Sequence, residues 1–498
     1  MAIAAPVTVG SRPFDPQNEL SDNVRTCFFI DGTWQEPTGE ERFELISPVT
    51  EELMLSVPAG APEDIEKAVA AARRAFDQGP WPRLSPVERA AYLRRIADEI
   101  DRRAEAFQRV WIGQVGAPQW FVGALSGTAA GQFRYYADLA ETYPFEEERT
   151  PHVGRLKVLR EPVGVAALII PWNAPLILLT QKMSAALAAG CTVVAKPSPE
   201  TPLDAQILAE CVDAAGLPPG TVNIVPAGRE VGNILVSDTR IDKVSFTGST
   251  AAGRHIATVC ADRLARVALE LGGKSASILC EDADIGAWLQ SLAPFTMPFS
   301  GQICFSQTRV LVPRSRHDEF IDAYVAGVES LKLGDPWDAA TQIGPVSMAR
   351  QRDRVLDYID IGRGEGARLV TGGGRPSGFN RGYFIAPTVF DQVDNSMRIA
   401  REEIFGPVVS VISYGSDEEA VAIANDSDFG LSGSVYSTDV GRAEAIARRI
   451  RTGHISVNGF NLDAVAPFGG YKKSGLGRES GPEGLAGFLE IKSMFLPA

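Results

Sequence analysis

Apolar residues recur at helical spacing early in the chain: Ile65, Val69, Ala72 and Phe76 form one stripe, and Leu93, Ile96, Ile100, Ala104 and Phe107 form another. Steps of three and four residues put each set on one helix face, so two amphipathic helices with core-facing stripes are predicted. From Gly164 the pattern changes. Short β-branched runs succeed one another, GVAALII (164–170), CTVVAKP (191–197), VNIVP (222–226) and KVSFTGS (243–249), each followed by a helix-compatible segment. Continuous apolar runs alternating with helices predict parallel strands, buried on both faces, in a doubly wound α/β sheet. Gly190 and Gly216 stand where helix C-caps belong, and Pro199 and Pro202 lie near the start of the next helix.

A second alternating region begins near Lys274 and runs through KSASILC (274–280), RVLV (309–312), ARLVTGG (367–373), VVSVISYG (408–415) and HISVN (454–458). Helical stretches over 318–331 and 440–451 complete a second α/β unit. No fixed-period repeat or low-complexity block interrupts the chain.

With 498 residues, the chain exceeds one compact core and implies about two or three domains. Its 45% apolar and 22% charged composition excludes disordered, collagenous and disulfide-scaffold classes. A formal charge of −14 disfavours nucleic acid and anionic membranes as partners. The six cysteines, Cys27, Cys191, Cys211, Cys260, Cys280 and Cys304, show neither CxxC pairs nor Cys/His clusters, so no metal site is expected and a reducing cytoplasm fits best. The first 23 residues read as a loosely held tail without signal-peptide features. The most apolar stretch, 164–195, is broken by Pro171, Asn173, Gln181, Lys182 and Gly190, which argues against a membrane span.

Five segments carry candidate chemistry. VSFTGS runs into Gly248-Ser249-Thr250 and Gly253 at a predicted helix start, where free N–H groups could receive a phosphate, although a tight turn is the commoner cause. Glu270 lies in an apolar run before two glycines; burial would raise its pKa toward that of a working base, and a solvated strand end is the equal alternative. Asn173, between Trp172 and Ala174, could donate to an oxyanion, yet prolines two residues away on either side make turn chemistry sufficient. Arg401 to Val408 places two acids and Phe405 before a Gly-Pro turn, as a ribose-gripping segment or a surface loop would. Cys304, flanked by Ile303 and Phe305, reads alone as core filler.

Taken together and in order, PWN (171–173), KPS (196–198), FTGST (246–250), ELGGKS (270–275), GQIC (301–304), EEIFGPV (402–408) and PFGGYKKSGLGRE (467–479) closely resemble the motifs of the NAD(P)-dependent aldehyde dehydrogenase superfamily. The resemblance extends from IDGTW at 30–34 to the C-terminus. It implies a Rossmann-like cofactor-binding domain over 1–139 and 163–272, an α/β catalytic domain over 273–473 and a small β oligomerisation arm over 140–162 and 474–498.

The same resemblance assigns roles. Cys304 would attack the aldehyde as a thiolate, in a site expected to lower its pKa. Asn173 and the Cys304 N–H would hold the oxyanion, Glu270 would activate the water that hydrolyses the resulting thioester, and Lys182 with Glu479 would form a proton-exit pair. Lys196 and Glu403 would bind the two riboses, Ser249 and the Gly248 to Gly253 turn the pyrophosphate, with Phe405 near the nicotinamide ribose and Ile256 against the adenine. Ile169, Pro171, Trp172, Ser198, Gly228, Phe246, Leu271 and Gly272 complete the implied cofactor set. NAD is the expected cofactor and NADP the alternative, because Pro199 stands where many NAD-preferring relatives carry Glu, with Glu200 displaced by one residue.

Ala174 and Gln181 stand where relatives specialised for small aldehydes carry aromatic residues. With Leu178, Phe299, Ile303, Phe305, Phe460 and Phe468 lining an apolar tunnel, a bulky hydrophobic or aromatic aldehyde is the expected substrate. The resemblance further implies a strand pair contributed to a neighbouring subunit, for which segments 149–161 and 488–495 alternate suitably, and hence a homodimer or a dimer of dimers. A CoA-acylating semialdehyde dehydrogenase is the enzymatic alternative, disfavoured by Glu270; a non-catalytic binding relative is the other, disfavoured by the retained Cys304, Asn173 and Glu270.

Overall fold

The computed structural model describes residues 12–497, with only the backbone considered at 291–295. Five parallel strands form the centre of an eight-stranded sheet: Val165–Ile169, Thr192–Lys196, Val222–Ile224, Lys243–Thr247 and Arg266–Glu270. In space the fifth lies beside the fourth, then come the first, second and third; Phe28–Ile30 and Thr33–Gln35 extend one edge and Gly475–Leu476 the other, all antiparallel. Strand order therefore reverses between Val165–Ile169 and Lys243–Thr247, which opens a crevice at their C-terminal ends.

Side-chain alternation divides this sheet between two cores. Val165, Ala167, Ile169, Val244 and Phe246 pack with the helices Pro62–Asp77 and Thr250–Asp262. Ala166, Leu168, Val193 and Ala195 face the opposite layer, built from Pro86–Arg102, Ala104–Val115, Thr128–Thr142, Pro175–Ala189 and Leu203–Ala215. Both faces being dry explains the near-continuous apolar runs. Gly190 and Gly216 cap their helices with φ of 98° and 69°, as their positions predict.

A second, seven-stranded sheet runs in the order Arg368–Thr371, Thr388–Asp391, Val408–Tyr414, Arg309–Pro313, Ala276–Leu279, Gly433–Tyr436 and Ser456–Val457, parallel except at its first pair. Leu489–Leu496, Arg155–Pro162 and Glu146–Arg149 form a separate three-stranded antiparallel sheet.

Three expectations need correction. The second apolar stripe spans two helices, because the chain leaves helical geometry at Arg103 (φ −107°, ψ 15°), so Ala104 and Phe107 belong to the next one. The tail reading for residues 1–11 lies outside the described residues, but residues 12–23 are not loose. Arg109 donates to Glu19 at 2.5 and 2.7 Å and to the Arg12 and Pro13 carbonyls at 3.2 Å. Burial alone would raise the Glu19 pKa, but hydrogen bonds from Arg109, the Asp15 N–H and Arg12 hold it down at about 2. Finally, Gly475–Leu476 pairs with Leu269–Glu270 rather than with the arm, so the segment after 474 first edges the cofactor-side sheet and only then reaches the arm strand.

Candidate active site

Cys304 lies between the two large sheets, in the turn before Arg309–Pro313. The approach to it is strained: Phe299, Ser300 and Gly301 have φ of 47°, 56° and 72°. Only glycine serves at 301, where a Cβ would collide with the Gly406 carbonyl. Four of the other five cysteines are buried, whereas Cys304 is partly accessible.

The expectation of a lowered thiol pKa is not met in the protein alone. Burial pushes the Cys304 thiol up, the nearby carboxylates of Glu403 and Glu270 push it further, and the backbone of Phe305 and Cys304 only partly offsets this. Burial is the main physical reason for the correction, and the nearby negative charges add to it.

Asn173 follows Val165–Ile169, just before the helix Pro175–Ala189. Its Nδ2 donates to the Gln302 carbonyl at 2.9 Å, and its main-chain carbonyl accepts from the Trp111 indole at 2.9 Å. The amide is thus fixed two residues from the sulfur, with a second N–H available. Glu270 ends its strand with neither carboxylate oxygen hydrogen-bonded among the described residues. Burial raises its pKa well above the ordinary carboxylate value, Glu479 adds to the rise, and Lys182 and Arg478 oppose it. An unpartnered buried carboxylate is costly, so its presence beside a thiol points to chemistry rather than stability.

Lys182 Nζ donates to Glu479 and, at 2.6 Å, to Thr247 Oγ1; Glu479 Oε1 also accepts from Ser245 Oγ at 3.2 Å. Lys182 and Glu479 are both buried. The pair inferred from resemblance is therefore a real contact, and Glu270 feels both of its charges.

Around the crevice, Ile169, Phe246, Ile256 and Leu271 share one apolar cluster, with Gly253 against Leu271. The helix Thr250–Asp262 begins at the exposed Ser249, whose Oγ accepts from the Ala252 N–H at 3.3 Å, and half-buried Gly248 donates to the Glu270 carbonyl at 3.0 Å. Gly228 opens the helix Arg229–Ser237. Lys196, whose pKa burial draws down to about 8, donates to the Pro197 and Ala227 carbonyls at 3.0 and 2.7 Å, leaving a third N–H. Ser198 donates to Glu200, which is paired with Arg350 at 2.5 Å.

On the opposite wall, Glu403 Oε1 accepts from the Gly273 N–H at 3.0 Å, and a Cβ on Gly272 would overlap its other oxygen. Burial raises the Glu403 pKa to about 7, opposed by the Gly273 N–H, Arg354 and Lys274. Phe405, at φ 61°, meets the half-buried Trp172 edge-on at 5.4 Å, beside half-buried Pro171. An exposed helix N-terminus, a buried lysine with a spare donor and a positioned carboxylate fit a dinucleotide with two riboses and a pyrophosphate.

Of the tunnel residues, Ala174, Phe299 and Ile303 are buried in one core with half-buried Leu178 and Phe305 against it. Phe305 stacks on Phe460 at 4.9 Å, and Gln181 donates to Ser480 at 2.8 Å. Phe299 is fully buried and stacked on Phe121 at 5.7 Å, behind the wall rather than on it. Phe468 joins through its backbone, which pairs with Glu479. Trp111, Gln302, Ser245 and Thr247 were missed: Gln302 sits inside a quoted motif, but nothing in the sequence marks Trp111 as a neighbour of Asn173.

Residues 34–494 match the model of the aldehyde dehydrogenase family. The chain is 49% identical to geranial dehydrogenase of Castellaniella defragrans, over 94% of this chain and 98% of that protein. It is 43% identical to 3-succinoylsemialdehyde-pyridine dehydrogenase of a Pseudomonas species, again over 94% and 98%. Among solved structures, a Mycobacterium tuberculosis aldehyde dehydrogenase complexed with NAD+ superposes with TM-score 0.93 at 46% identity, covering 95% of this chain and 98% of that one. Betaine aldehyde dehydrogenase of Staphylococcus aureus in complex with NAD+ gives 0.94 at 37% identity, covering 96% and 95%. This chain belongs to the aldehyde dehydrogenase family.

Proposed function

We propose that the protein oxidises a bulky, hydrophobic aldehyde to its carboxylic acid with NAD+, through a thiohemiacetal and then a thioester on Cys304. The observation that carries the reading is the convergence of a cysteine that is only partly buried, a fixed amide and an unpartnered buried carboxylate on one crevice. NAD+, when bound, supplies the hydride acceptor and a positive charge that the protein alone does not place near the sulfur. Lys196 and Glu403 would hold its riboses, and the N–H groups behind Ser249 its pyrophosphate. The two neighbouring structures with NAD+ support this cofactor, and Glu200, tied to Ser198 and Arg350, keeps a carboxylate near the ribose site despite Pro199.

Cys304 adds to the aldehyde carbon, and the oxygen gains negative charge beside the Asn173 amide and the Cys304 N–H. Hydride loss leaves the thioester. Glu270 then takes a proton from the attacking water, and the acid leaves with the Cys304 thiolate restored and that proton on Glu270. Asn173→Ala removes one preorganised donor from the oxyanion, so kcat should fall about 10²- to 10³-fold with little change in KM. Steady-state kinetics check this; a fall below tenfold would remove Asn173 from that role.

Small or soft side chains at Ala174 and Gln181, with aromatic Phe305 and Phe460, favour bulk and apolarity, and the relative named for geranial is consistent with a terpenoid or aromatic aldehyde. On a substrate panel, kcat/KM should be at least about tenfold higher for such compounds than for acetaldehyde or succinate semialdehyde, since each buried methylene contributes about 0.8 kcal/mol. The reverse order would refute the substrate class. We also read the free edge of Leu489–Leu496, where Ile491 and Phe495 are exposed, as a contact between copies of the chain.

A further inference from the structure

The strand Thr192–Lys196 ends beside the crevice, and the chain then passes through Pro197, Ser198, Pro199 and Glu200 before the helix Leu203–Ala215. Proline fixes φ on either side of Ser198, so this turn presents its side chains in set directions. Lys196 Nζ is held by the Pro197 and Ala227 carbonyls, and the Glu200 carboxylate bears on it, opposing the fall in its pKa that burial causes. Both Glu200 oxygens are engaged: Ser198 Oγ donates to Oε2, and Oε1 pairs with Arg350 Nη2 at 2.5 Å.

Arg350 reaches Glu200 from the other side of the crevice. It lies in the first turn of the helix Ala349–Gly364, whose Val355 and Ile359 pack with Phe390, Val408 and Ile412 of the second sheet. The same helix fixes the wall that carries Glu403: Gln351 Nε2 donates to the Ile404 and Phe405 carbonyls at 3.1 and 2.7 Å, and Arg354 to the Glu403 carbonyl at 2.6 Å. The Arg350 backbone is therefore anchored, while its side chain is 66% exposed against 23% for Glu200. An ion pair this open adds little to stability, so it yields readily to a ligand that offers one of the partners a stronger bond. A carboxylate suits the 2′-hydroxyl of a ribose, as in NAD+, and a guanidinium suits a 2′-phosphate, as in NADP+.

We propose that Glu200 and Arg350, paired across the crevice, together set the choice between NAD+ and NADP+: Glu200 accepts from the adenosine 2′-hydroxyl of NAD+, and Arg350, released from Glu200, pairs with the 2′-phosphate of NADP+. The proposal rests on the reading of this crevice as a dinucleotide site with Lys196 at a ribose. It gives the protein NAD+ as the preferred cofactor and NADP+ as a usable second one. A phosphate monoester carries about −1.5 to −2 charge near neutral pH, and a lone carboxylate would repel it. Here Lys196 and Arg350 outnumber Glu200, so the phosphate meets a net positive surround. The order of preference follows from the same residues. NAD+ adds a donor to the Glu200 carboxylate, whereas NADP+ must first break the ion pair and then leaves Glu200 beside a phosphate.

The test measures Kd for NADH and for NADPH, by the fluorescence of the bound nicotinamide, in wild type, Glu200→Gln and Arg350→Gln. Beside it, kcat/KM is measured for NAD+ and NADP+ with the best aldehyde of the panel. Wild type should bind NADPH, about 10- to 50-fold more weakly than NADH. In Arg350→Gln the ratio of the NADPH Kd to the NADH Kd should rise about tenfold, and in Glu200→Gln it should fall about tenfold, the effect of one charge-assisted hydrogen bond lost or one repulsion removed. The kcat/KM ratios should move in the same two directions. Both substitutions break the same ion pair, so a merely structural role would move the ratio alike in both or leave it unchanged, and either result overturns the proposal. Wild type that binds NADH but not NADPH also overturns it. The ratio compares two ligands on one preparation, so any loss of folded protein in a variant cancels. Failure of the underlying reading looks different, because wild type would then bind neither dinucleotide.

Discussion

Replacement of Cys304 by alanine is expected to lower steady-state NADH formation by about 10⁴-fold or more, to the level that positioning and oxyanion donors alone can sustain. The magnitude follows from the chemistry assigned to the sulfur. Without it there is no covalent adduct, and direct attack by water would have to expel hydride from a hydrate that Asn173 and the Cys304 N–H were not arranged to stabilise. The substitution itself is mild, since alanine keeps the backbone N–H and the strained Phe299–Gly301 approach. NAD+ affinity, followed by fluorescence titration, should stay within about threefold, because Cys304 is not among the residues placed against the cofactor. Retention of more than about 1% of wild-type turnover would be incompatible with a cysteine nucleophile.

Substitution of Glu270 by glutamine should separate the two halves of the reaction. The carboxylate is buried, unpartnered and beside the thiol, so its loss removes a base without removing a structural hydrogen bond. Thioester formation should persist as a burst of about one NADH per active site, while steady-state turnover falls about 10²- to 10⁴-fold. A pH signature accompanies it. Burial and Glu479 raise the Glu270 pKa, so the active carboxylate form accumulates as pH rises and deacylation should accelerate on that limb; the glutamine variant should lose the limb. Rapid-mixing absorbance of NADH over a pH series checks both statements. Equal losses of burst and steady state would instead place Glu270 in thiol activation.

The elements most legible in the sequence were those with continuous apolar runs. GVAALII, CTVVAKP and KVSFTGS became central parallel strands because burial on both faces demands such runs. Thr388–Asp391 and Gly433–Tyr436 escaped notice, since four residues containing Thr, Asp, Gly or Ser carry too little periodicity. Strand order was not legible at all, because it depends on which crossovers pack.

In the site, Cys304, Glu270 and Asn173 became legible only through their ordered combination. The direction of the thiol pKa in the protein alone was not legible, because it depends first on burial and then on Glu403, almost a hundred residues further along. Trp111, which fixes the Asn173 carbonyl, and the polar face of Lys243–Thr247 require the third dimension to be recognised.

The central claim is a thioester on one sulfur, and mass spectrometry of Glu270→Gln quenched in acid after mixing with NAD+ and a bulky aldehyde tests it most directly. The account predicts that the peptide containing Cys304 gains the mass of the aldehyde less two hydrogens, in step with about one NADH per chain. NADH formed with no adduct, or with the adduct on any other residue, would contradict it.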